Sequence, residues 1–304
     1  MLLENSENLY LKKCKAQGLA TSTLINYHYC LQTFFNYCHS KDVHEAEQVD
    51  QFLLMDFLGH IKEKYSSTTT KDKFIVIKAL FSYLSKIQAI PENPAQDLQK
   101  PKVNKPLVPA FSPEEVKEIL QEYDKNTFLG FRNYTMMALL FGTGIRKSEL
   151  LNICLHDIDF PEGLLKIHGK GNKERLVPLG SNLKRLLKTY TTKRDVYIKE
   201  HMFENNKGLF IAKDGGALSV GAVNTIFRHL KDSKKTWSAR VSPHTFRHTF
   251  AKFYLLNGGD IFSLQRILGH EDISTTRIYI DLNTDDIKQQ AQKFSPFENK
   301  RWQF

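Results

Sequence analysis

The sequence carries three short runs within residues 242–279: Ser242-Pro243-His244-Thr245-Phe246-Arg247-His248, then Leu268-Gly269-His270, then Arg277-Ile278-Tyr279. Together they supply arginine, histidine and tyrosine. A guanidinium group holds phosphate oxygens in its planar fork, histidine transfers protons, and a tyrosine oxygen can act as a nucleophile. The three runs therefore predict a site for chemistry on a phosphodiester.

The first run predicts the start of a helix. Ser242 is a side-chain cap and Pro243 suits the first helical position, where its missing N–H costs nothing. His244 and Arg247 are three residues apart and therefore lie on one face of that helix. Asn257-Gly258-Gly259 predicts its end.

The second and third runs follow further helix signals. Asp260 predicts the start of a second helix, and Gly269 predicts its end. His270 would then lie in the turn just beyond a helix end. Ser274-Thr275-Thr276 offers caps for a short third helix that carries Tyr279.

Length and composition predict a two-domain protein with a polyanionic partner. The chain has 304 residues, of which 41% are hydrophobic and 25% charged, and its formal net charge is +10. That length allows two domains with separate cores. The positive charge favours nucleic acid as the partner, although a basic protein without such a partner remains an alternative.

The cysteines and the apolar patterning predict a cytoplasmic protein. The four cysteines show no close pair and no metal-ligand spacing: Cys14, Cys30, Cys38 and Cys154. This usage is typical of buried thiols in a reducing compartment. The N-terminus has no secretory signal pattern, and no apolar run is long enough to span a bilayer.

Changes in composition and a helix-capping motif predict a domain at 1–99, a linker at 100–110 and a second domain at 111–304. The first domain reads as four amphipathic helices. Lysines on these helices either face DNA or form a solvated surface: Lys12, Lys13, Lys15, Lys62, Lys64, Lys71, Lys73 and Lys78. The linker is rich in lysine and proline. Ser112 with Glu115 forms a capping box that opens the second domain.

The second domain is predicted to be mainly helical with a small antiparallel β-sheet. Apolar residues alternate on either side of Gly171-Asn172, which predicts a β-hairpin tipped with lysines. The remaining predictions are a helix at 132–141 broken by Gly142-Thr143-Gly144, a helix at 181–199, a strand at 209–212, a helix from Ser219 and a last helix at 285–293.

Five boxes in this order resemble those of the tyrosine recombinase (phage integrase) family, and most of all the Xer-type recombinases. They are Gly142-Thr143-Gly144-Ile145-Arg146-Lys147-Ser148-Glu149-Leu150, Gly169-Lys170-Gly171-Asn172-Lys173-Glu174-Arg175, His244-Thr245-Phe246-Arg247-His248, Leu268-Gly269-His270 and Tyr279. The resemblance covers nearly the whole chain. It implies a helical SAM-like core-binding domain and a catalytic domain that form a C-shaped clamp on double-stranded DNA.

The resemblance also implies a role for each matching residue. Arg146 and Arg247 would hold the scissile phosphate, with Glu149 orienting Arg146; a plain surface ion pair between Arg146 and Glu149 is the alternative. Tyr279 would attack phosphorus to give a 3′-phosphotyrosine, and His270 would donate to a phosphate oxygen.

Proton transfer and DNA contact would involve further residues of the boxes and loops. His244 would take the proton of the tyrosine, and Lys170 would give one to the leaving 5′-oxygen, with Lys173 as a less favoured candidate. Predicted DNA contacts are Lys173, Arg175, Lys105 and Arg240.

No cofactor or metal is predicted. His244 and His248 have the spacing of zinc ligands, but Arg247 lies on nearly the same face and would repel a cation. The Gly169-Lys170 pair lies in a hairpin and so does not form a nucleotide-binding loop. The phosphotyrosine would conserve the energy of the broken bond.

The implied function is site-specific recombination through a Holliday junction by four protomers, either identical or shared with a sister recombinase. The biological task would be chromosome dimer resolution or the integration and excision of a mobile element. A type IB topoisomerase-like enzyme and a non-catalytic DNA-binding relative are the alternatives. The aromatic tail after Tyr279 would dock on a neighbouring protomer or on its own.

Overall fold

The structure, a computed structural model, describes residues 1–102, 109–169, 173–204, 206–233, 236–270 and 272–277. The chain divides into two compact units, Met1–Pro106 and Leu107–Phe304. The division falls inside the stretch 100–110 that the sequence predicts to be the linker.

The N-terminal unit contains the four predicted helices. They are α1 (Leu3–Ala16), α2 (Thr21–His39), α3 (Gln51–Lys64) and α4 (Ser67–Lys86). The Asp50 side chain caps α3 by accepting from the Leu53 N–H. Phe34 and Phe81 are fully buried between the helices and pack edge to face, 6.0 Å between ring centres. This unit therefore has its own aromatic core.

The C-terminal unit is mainly helical with one small sheet. Its elements are α5 (Pro113–Gln121), α6 (Phe128–Thr143), α7 (Lys147–Asn152), β1 (Ile158–Asp159), β2 (Leu164–His168), β3 (Glu174–Pro178), α8 (Ser181–Glu200), α9 (Val220–Asp232), α10 (Pro243–Leu256), α11 (Ile261–Leu268) and α12 (Ile273–Arg277). This architecture confirms the predicted fold class.

The sheet is antiparallel in the order β1-β2-β3, and it contains the predicted hairpin. Leu165 pairs with Val177 and Ile167 pairs with Arg175. Because side chains alternate along a strand, Arg175 shares the inward face of β3 with buried Val177. Strand β1 has only two residues, which is too few for an alternation of buried and exposed side chains to be recognised in the sequence.

Two local predictions were wrong. Residues 209–212 form no strand: Ile211 only makes an isolated bridge to Ala217, and the run is apolar because it is buried. Helix α12 begins at Ile273, so the residues expected to cap it lie inside it. The helix predicted at 285–293 falls outside the described residues.

Within the part of the chain that the structure describes, no helix is both long enough and apolar enough to cross a membrane.

Candidate active site

Helix α10 carries the first of the three runs that are predicted to form the site, and its start is built as predicted. The Ser242 hydroxyl accepts from the Thr245 N–H at 3.2 Å, and Pro243 occupies the first turn. Arg247 follows one turn later and is only 5% exposed, whereas His244 is exposed. The helix thus presents one histidine to solvent and points one arginine into the unit.

Arg247 is fixed by the carbonyl ends of two other helices. Its Nη1 donates to the Gly144 carbonyl at 2.7 Å, where α6 ends, and its Nη2 donates to the Leu268 carbonyl at 2.8 Å, where α11 ends. Helix C-termini carry partial negative charge and favour a cation. Gly144 and Gly269 allow both ends by adopting positive φ values of 63° and 66°.

His270 lies just beyond α11 and contacts Arg247 directly. Its Nε2 is 2.7 Å from Arg247 Nη2, and its Nδ1 is 2.8 Å from the Thr276 hydroxyl. A guanidinium group only donates, so Nε2 accepts and Nδ1 carries the proton. Burial, followed by the positive charges of Arg247 and Arg146, lowers the pKa of His270 to about 4. The imidazole is therefore neutral near pH 7.

Glu149 joins two arginines beneath the site. Its side chain is 4% exposed, and it accepts from Arg146 Nη1 at 2.8 Å and from the Arg146 backbone N–H at 2.7 Å. Arg175 donates to the same carboxylate through Nη1 at 2.8 Å and Nη2 at 2.7 Å. Burial opposes ionisation of Glu149, but the bonds from Arg175 and Arg146 outweigh it and lower its pKa to about 2.

The structure thus brings together four of the residues that the sequence predicts as site residues, Arg146, Glu149, Arg247 and His270. The ion pair that the sequence offered as an alternative role for Arg146 is present. It leaves 41% of the Arg146 side chain exposed, so the pair orients this arginine without burying it.

The other predicted site residues are placed differently. Lys173 precedes β3 and is exposed, and Arg240 is exposed in the loop before α10. The predicted DNA contact Arg175 is largely enclosed, with 13% of its side chain exposed. Lys105, Lys170 and Tyr279 lie outside the described residues.

Comparison with known proteins covers both units. The model of the phage integrase family matches residues 110–286, more than half of the chain, and the model of the phage integrase N-terminal SAM-like domain matches residues 8–88. The chain belongs to the phage integrase family. This family is that of the tyrosine recombinases, which break and rejoin DNA.

Relatives and solved structures extend the match along the chain. Tyrosine recombinase XerD of Staphylococcus aureus is 32% identical over 284 residues, covering 92% of this chain and 94% of that protein. XerD of Staphylococcus epidermidis is 29% identical over 282 residues with the same coverage.

Two solved structures share the fold of this tyrosine recombinase. A lambda integrase dimer bound to a COC′ core site has a TM-score of 0.74 at 18% identity, covering 92% of this chain and 77% of that one. XerH bound to its palindromic difH substrate, a post-cleavage complex, has a TM-score of 0.71 at 23% identity, covering 93% and 83%.

His244 and His248, the two histidines with the spacing of zinc ligands, differ in exposure: His244 is exposed, whereas His248 is partly buried. Burial, then the charges of His244 and Arg247, lower the pKa of His248 to about 4. Among the described residues, the one group of three side chains close enough to share a metal ion is a different one, Cys154, His156 and Asp157. Asp157 is already hydrogen-bonded to His168 and to the Cys154 N–H.

Sequence reasoning did not predict the contacts that two residues make with the predicted site residues. Thr276 was interpreted as a helix cap, but it is fully buried and contacts His270. Arg175 was interpreted as a DNA contact. Its spacing of two residues from Val177 was the signal that it lies on the buried face of β3.

Proposed function

We propose that this recombinase is site-specific and cuts and rejoins double-stranded DNA through a 3′-phosphotyrosine at Tyr279. One observation carries the proposal: polar contacts connect Arg146, Arg247 and His270, which come from three separate boxes. Arg247 contacts His270 directly, and Arg146 is linked through Glu149 and Arg175 to the helix end that precedes His270. Three phosphate-binding groups so fixed suit a single phosphodiester.

The two arginines would bind the non-bridging oxygens of the scissile phosphate. Arg247 is held on two helix ends and Arg146 is oriented by Glu149, so neither cation needs to reorganise when charge develops on the pentacoordinate phosphorus. Loss of one such donor typically reduces the rate on the order of a hundredfold or more.

The proton transfers would fall to His244 and Lys170. The O–P bond to Tyr279 forms while the bond from phosphorus to the 5′-oxygen breaks. His244, which is exposed at the surface of the site, takes the tyrosine proton, and Lys170 protonates the leaving 5′-oxygen. The reverse reaction with another 5′-hydroxyl rejoins the strand, so no nucleotide cofactor is needed.

His270 would hydrogen-bond a phosphate oxygen through Nε2 when DNA binds, and this bond would replace its contact with Arg247 Nη2. Its Nε2 must then carry the proton, and Nδ1 must accept one. The Thr276 hydroxyl can do either, accepting from Nδ1–H before DNA binds and donating to Nδ1 afterwards.

The partner would be double-stranded DNA with paired sites, occupied by four protomers in the cytoplasm. Residues 1–99 would bind DNA, residues 100–110 would link the two domains, and residues 111–304 would carry out catalysis.

Among the N-terminal lysines, Lys12, Lys15, Lys62 and Lys64 are exposed and suit phosphate contact. Lys73 is buried and donates to Thr33 at 2.7 Å, which suits a structural role.

Covalent trapping tests the function. Nicked duplexes covering candidate sites from the source genome are incubated with the protein and with Tyr279→Phe in EDTA, then run on a denaturing gel. A slow-migrating protein–DNA band that requires Tyr279 supports the proposal, and the duplex that traps identifies chromosomal or mobile-element DNA. A band that persists in Tyr279→Phe would show another nucleophile, and binding without any band would contradict the cleavage function.

A further inference from the structure

We propose that Arg175 is a positioning residue that sets Arg146 and His270 relative to each other, and that it does not contact DNA. The proposal rests on the proposed function, because it assigns the two residues positioned by Arg175 to the phosphate site.

The first observation is the shared carboxylate. Both oxygens of Glu149 serve both arginines: Oε1 accepts from Arg146 Nη1 and Arg175 Nη1, and Oε2 accepts from the Arg146 N–H and Arg175 Nη2. A bidentate arginine fixes the plane of a carboxylate as well as its position. The orientation of the Glu149 carboxylate, and with it that of Arg146, is therefore set from the Arg175 side.

The second observation is the contact with the segment that carries His270. Arg175 Nε donates to the Ile267 carbonyl at 2.7 Å, in the last turn of α11. A Cβ at Gly269 would lie 2.9 Å from Arg175 Cδ, so the arginine stem packs directly against the residue that precedes His270. Arg175 thus also fixes the helix end from which His270 emerges.

The third observation is that the geometry leaves Arg175 poorly placed for DNA. It lies on the inward face of β3 opposite buried Ile167, and its side chain is 13% exposed. All three guanidinium nitrogens of Arg175 already donate, to Glu149 and to the Ile267 carbonyl, so a phosphate would have to share these donors or take the guanidinium from the buried Glu149 carboxylate. Arg240 and Lys173, the other predicted DNA contacts among the described residues, are exposed.

The Arg175 side chain therefore connects two parts of the site. It binds the carboxylate that orients Arg146, and it binds the last turn before His270. Lysine cannot replace it, because a single ammonium group cannot make a bidentate pair and a separate carbonyl bond in the same planar geometry.

The decisive experiment measures Arg175→Lys in full-length protein. Single-turnover formation of the covalent complex on saturating nicked DNA should slow by about a hundredfold, a typical cost of losing preorganisation at a charged site. The DNA dissociation constant and its dependence on salt should stay within about twofold of wild type, because the charge is kept and no phosphate contact is lost. Exposed Arg185 on α8 gives the matched control, and Arg185→Lys should change neither quantity.

Two further variants test the proposal in case Arg175→Lys does not fold: Glu149→Gln alone, and Glu149→Gln combined with Arg175→Gln. The double variant Glu149→Gln with Arg175→Gln replaces the ion pair by an amide pair and leaves no buried charge unpaired. It should melt cooperatively, bind DNA as wild type does and cleave slowly. Its cleavage rate should be no lower than that of Glu149→Gln alone, because both changes break the same group of hydrogen bonds around residue 149.

The outcomes separate the two proposals. Wild-type protein that forms no covalent complex contradicts the proposed function itself. Active wild type with an Arg175→Lys variant that cleaves normally contradicts the positioning role. A variant that cleaves normally at saturation but binds DNA weakly, with a lower salt slope, would show a DNA contact and overturn the inference.

Discussion

Thr276 is fully buried three residues before the proposed nucleophile, and its hydroxyl lies 2.8 Å from His270 Nδ1. Arg247 donates to the other ring nitrogen. The imidazole therefore has one partner that can only donate and one that can donate or accept. A hydroxyl at 276 can accept a hydrogen bond from Nδ1–H in one tautomer of His270 and donate one to Nδ1 in the other. An apolar group of the same shape can do neither.

We expect Thr276→Val to slow covalent-complex formation by about tenfold or more, because His270 Nδ1 loses its partner when Nε2 turns to the phosphate. Thr276→Ser keeps the hydroxyl and should retain most of the rate. Single-turnover trapping of both variants checks this expectation. Equal rates for the valine and serine variants would exclude a role for the hydroxyl.

Two partly buried histidines predict how stability depends on pH. His248 and His270 have folded-state pKa values of about 4. The unfolded chain binds their protons near its ordinary pKa of about 6.5. Between these values the unfolded state binds more protons, so the free energy of unfolding falls as pH falls.

Urea titrations between pH 7 and 4.5 should show this loss, with a slope below the limit of about 1.4 kcal/mol per pH unit for each histidine, since solvent screens both. Glu149 contributes stability that is lost only at lower pH, as its pKa is about 2. A variant carrying His248→Asn and His270→Asn should lose most of the slope. An unchanged slope would assign the effect to other groups.

The residue types of the site could be predicted from sequence, but their partners could not. Arg146, Arg247 and His270 stand in boxes with fixed spacing, and caps and glycines place them locally. The contacts of Arg247 with the ends of α6 and α11 join residues 103 and 21 positions apart. No local pattern encodes such pairs, which is why the contacts of Thr276 with His270 and of Arg175 with Glu149 were not predicted.

At the scale of elements, the site is built from helix ends. Helices α6 and α11 both stop at a glycine with positive φ, and the carbonyls near both ends face Arg247. These ends were predictable, because caps and glycines act through local hydrogen bonds. The run 209–212 misled prediction, because an apolar stretch buried without a neighbouring strand resembles a strand in sequence.

We expect Gly269→Ala to lower the free energy of unfolding by about 1–2 kcal/mol, the usual cost of a left-handed conformation for a residue with a Cβ. Its Cβ would also press on Arg175 Cδ at 2.9 Å, so the cleavage rate should fall as well. Gly221→Ala on α9 is the matched control, since its Cβ meets nothing closer than 3.7 Å. If both variants behave alike, neither backbone strain nor the Arg175 contact matters at residue 269.

At the scale of the molecule, each core cluster draws its residues from one unit. One cluster runs from Leu3 to Ala95, and another runs from Phe111 to Phe246. The matched site residues, including the proposed nucleophile Tyr279, all belong to the second unit. Positive charge that can contact DNA is present on both units, since the N-terminal helices expose Lys12, Lys15, Lys62 and Lys64. Chemistry and DNA affinity should therefore be separable by cutting the chain between the units.

A chain shortened to Leu107–Phe304 should fold cooperatively and still form the Tyr279-dependent covalent complex at high DNA concentration. Its DNA affinity should fall and depend less on salt, with the slope reduced by about 0.9 for each phosphate contact that the first unit supplies. Gel shifts at several salt concentrations, alongside trapping with the same nicked duplex, measure both quantities. Wild-type affinity and slope in the shortened chain would show that the N-terminal lysines are only a solvated face. A folded, DNA-bound chain that does not cleave would show that the first unit is needed to complete the active site.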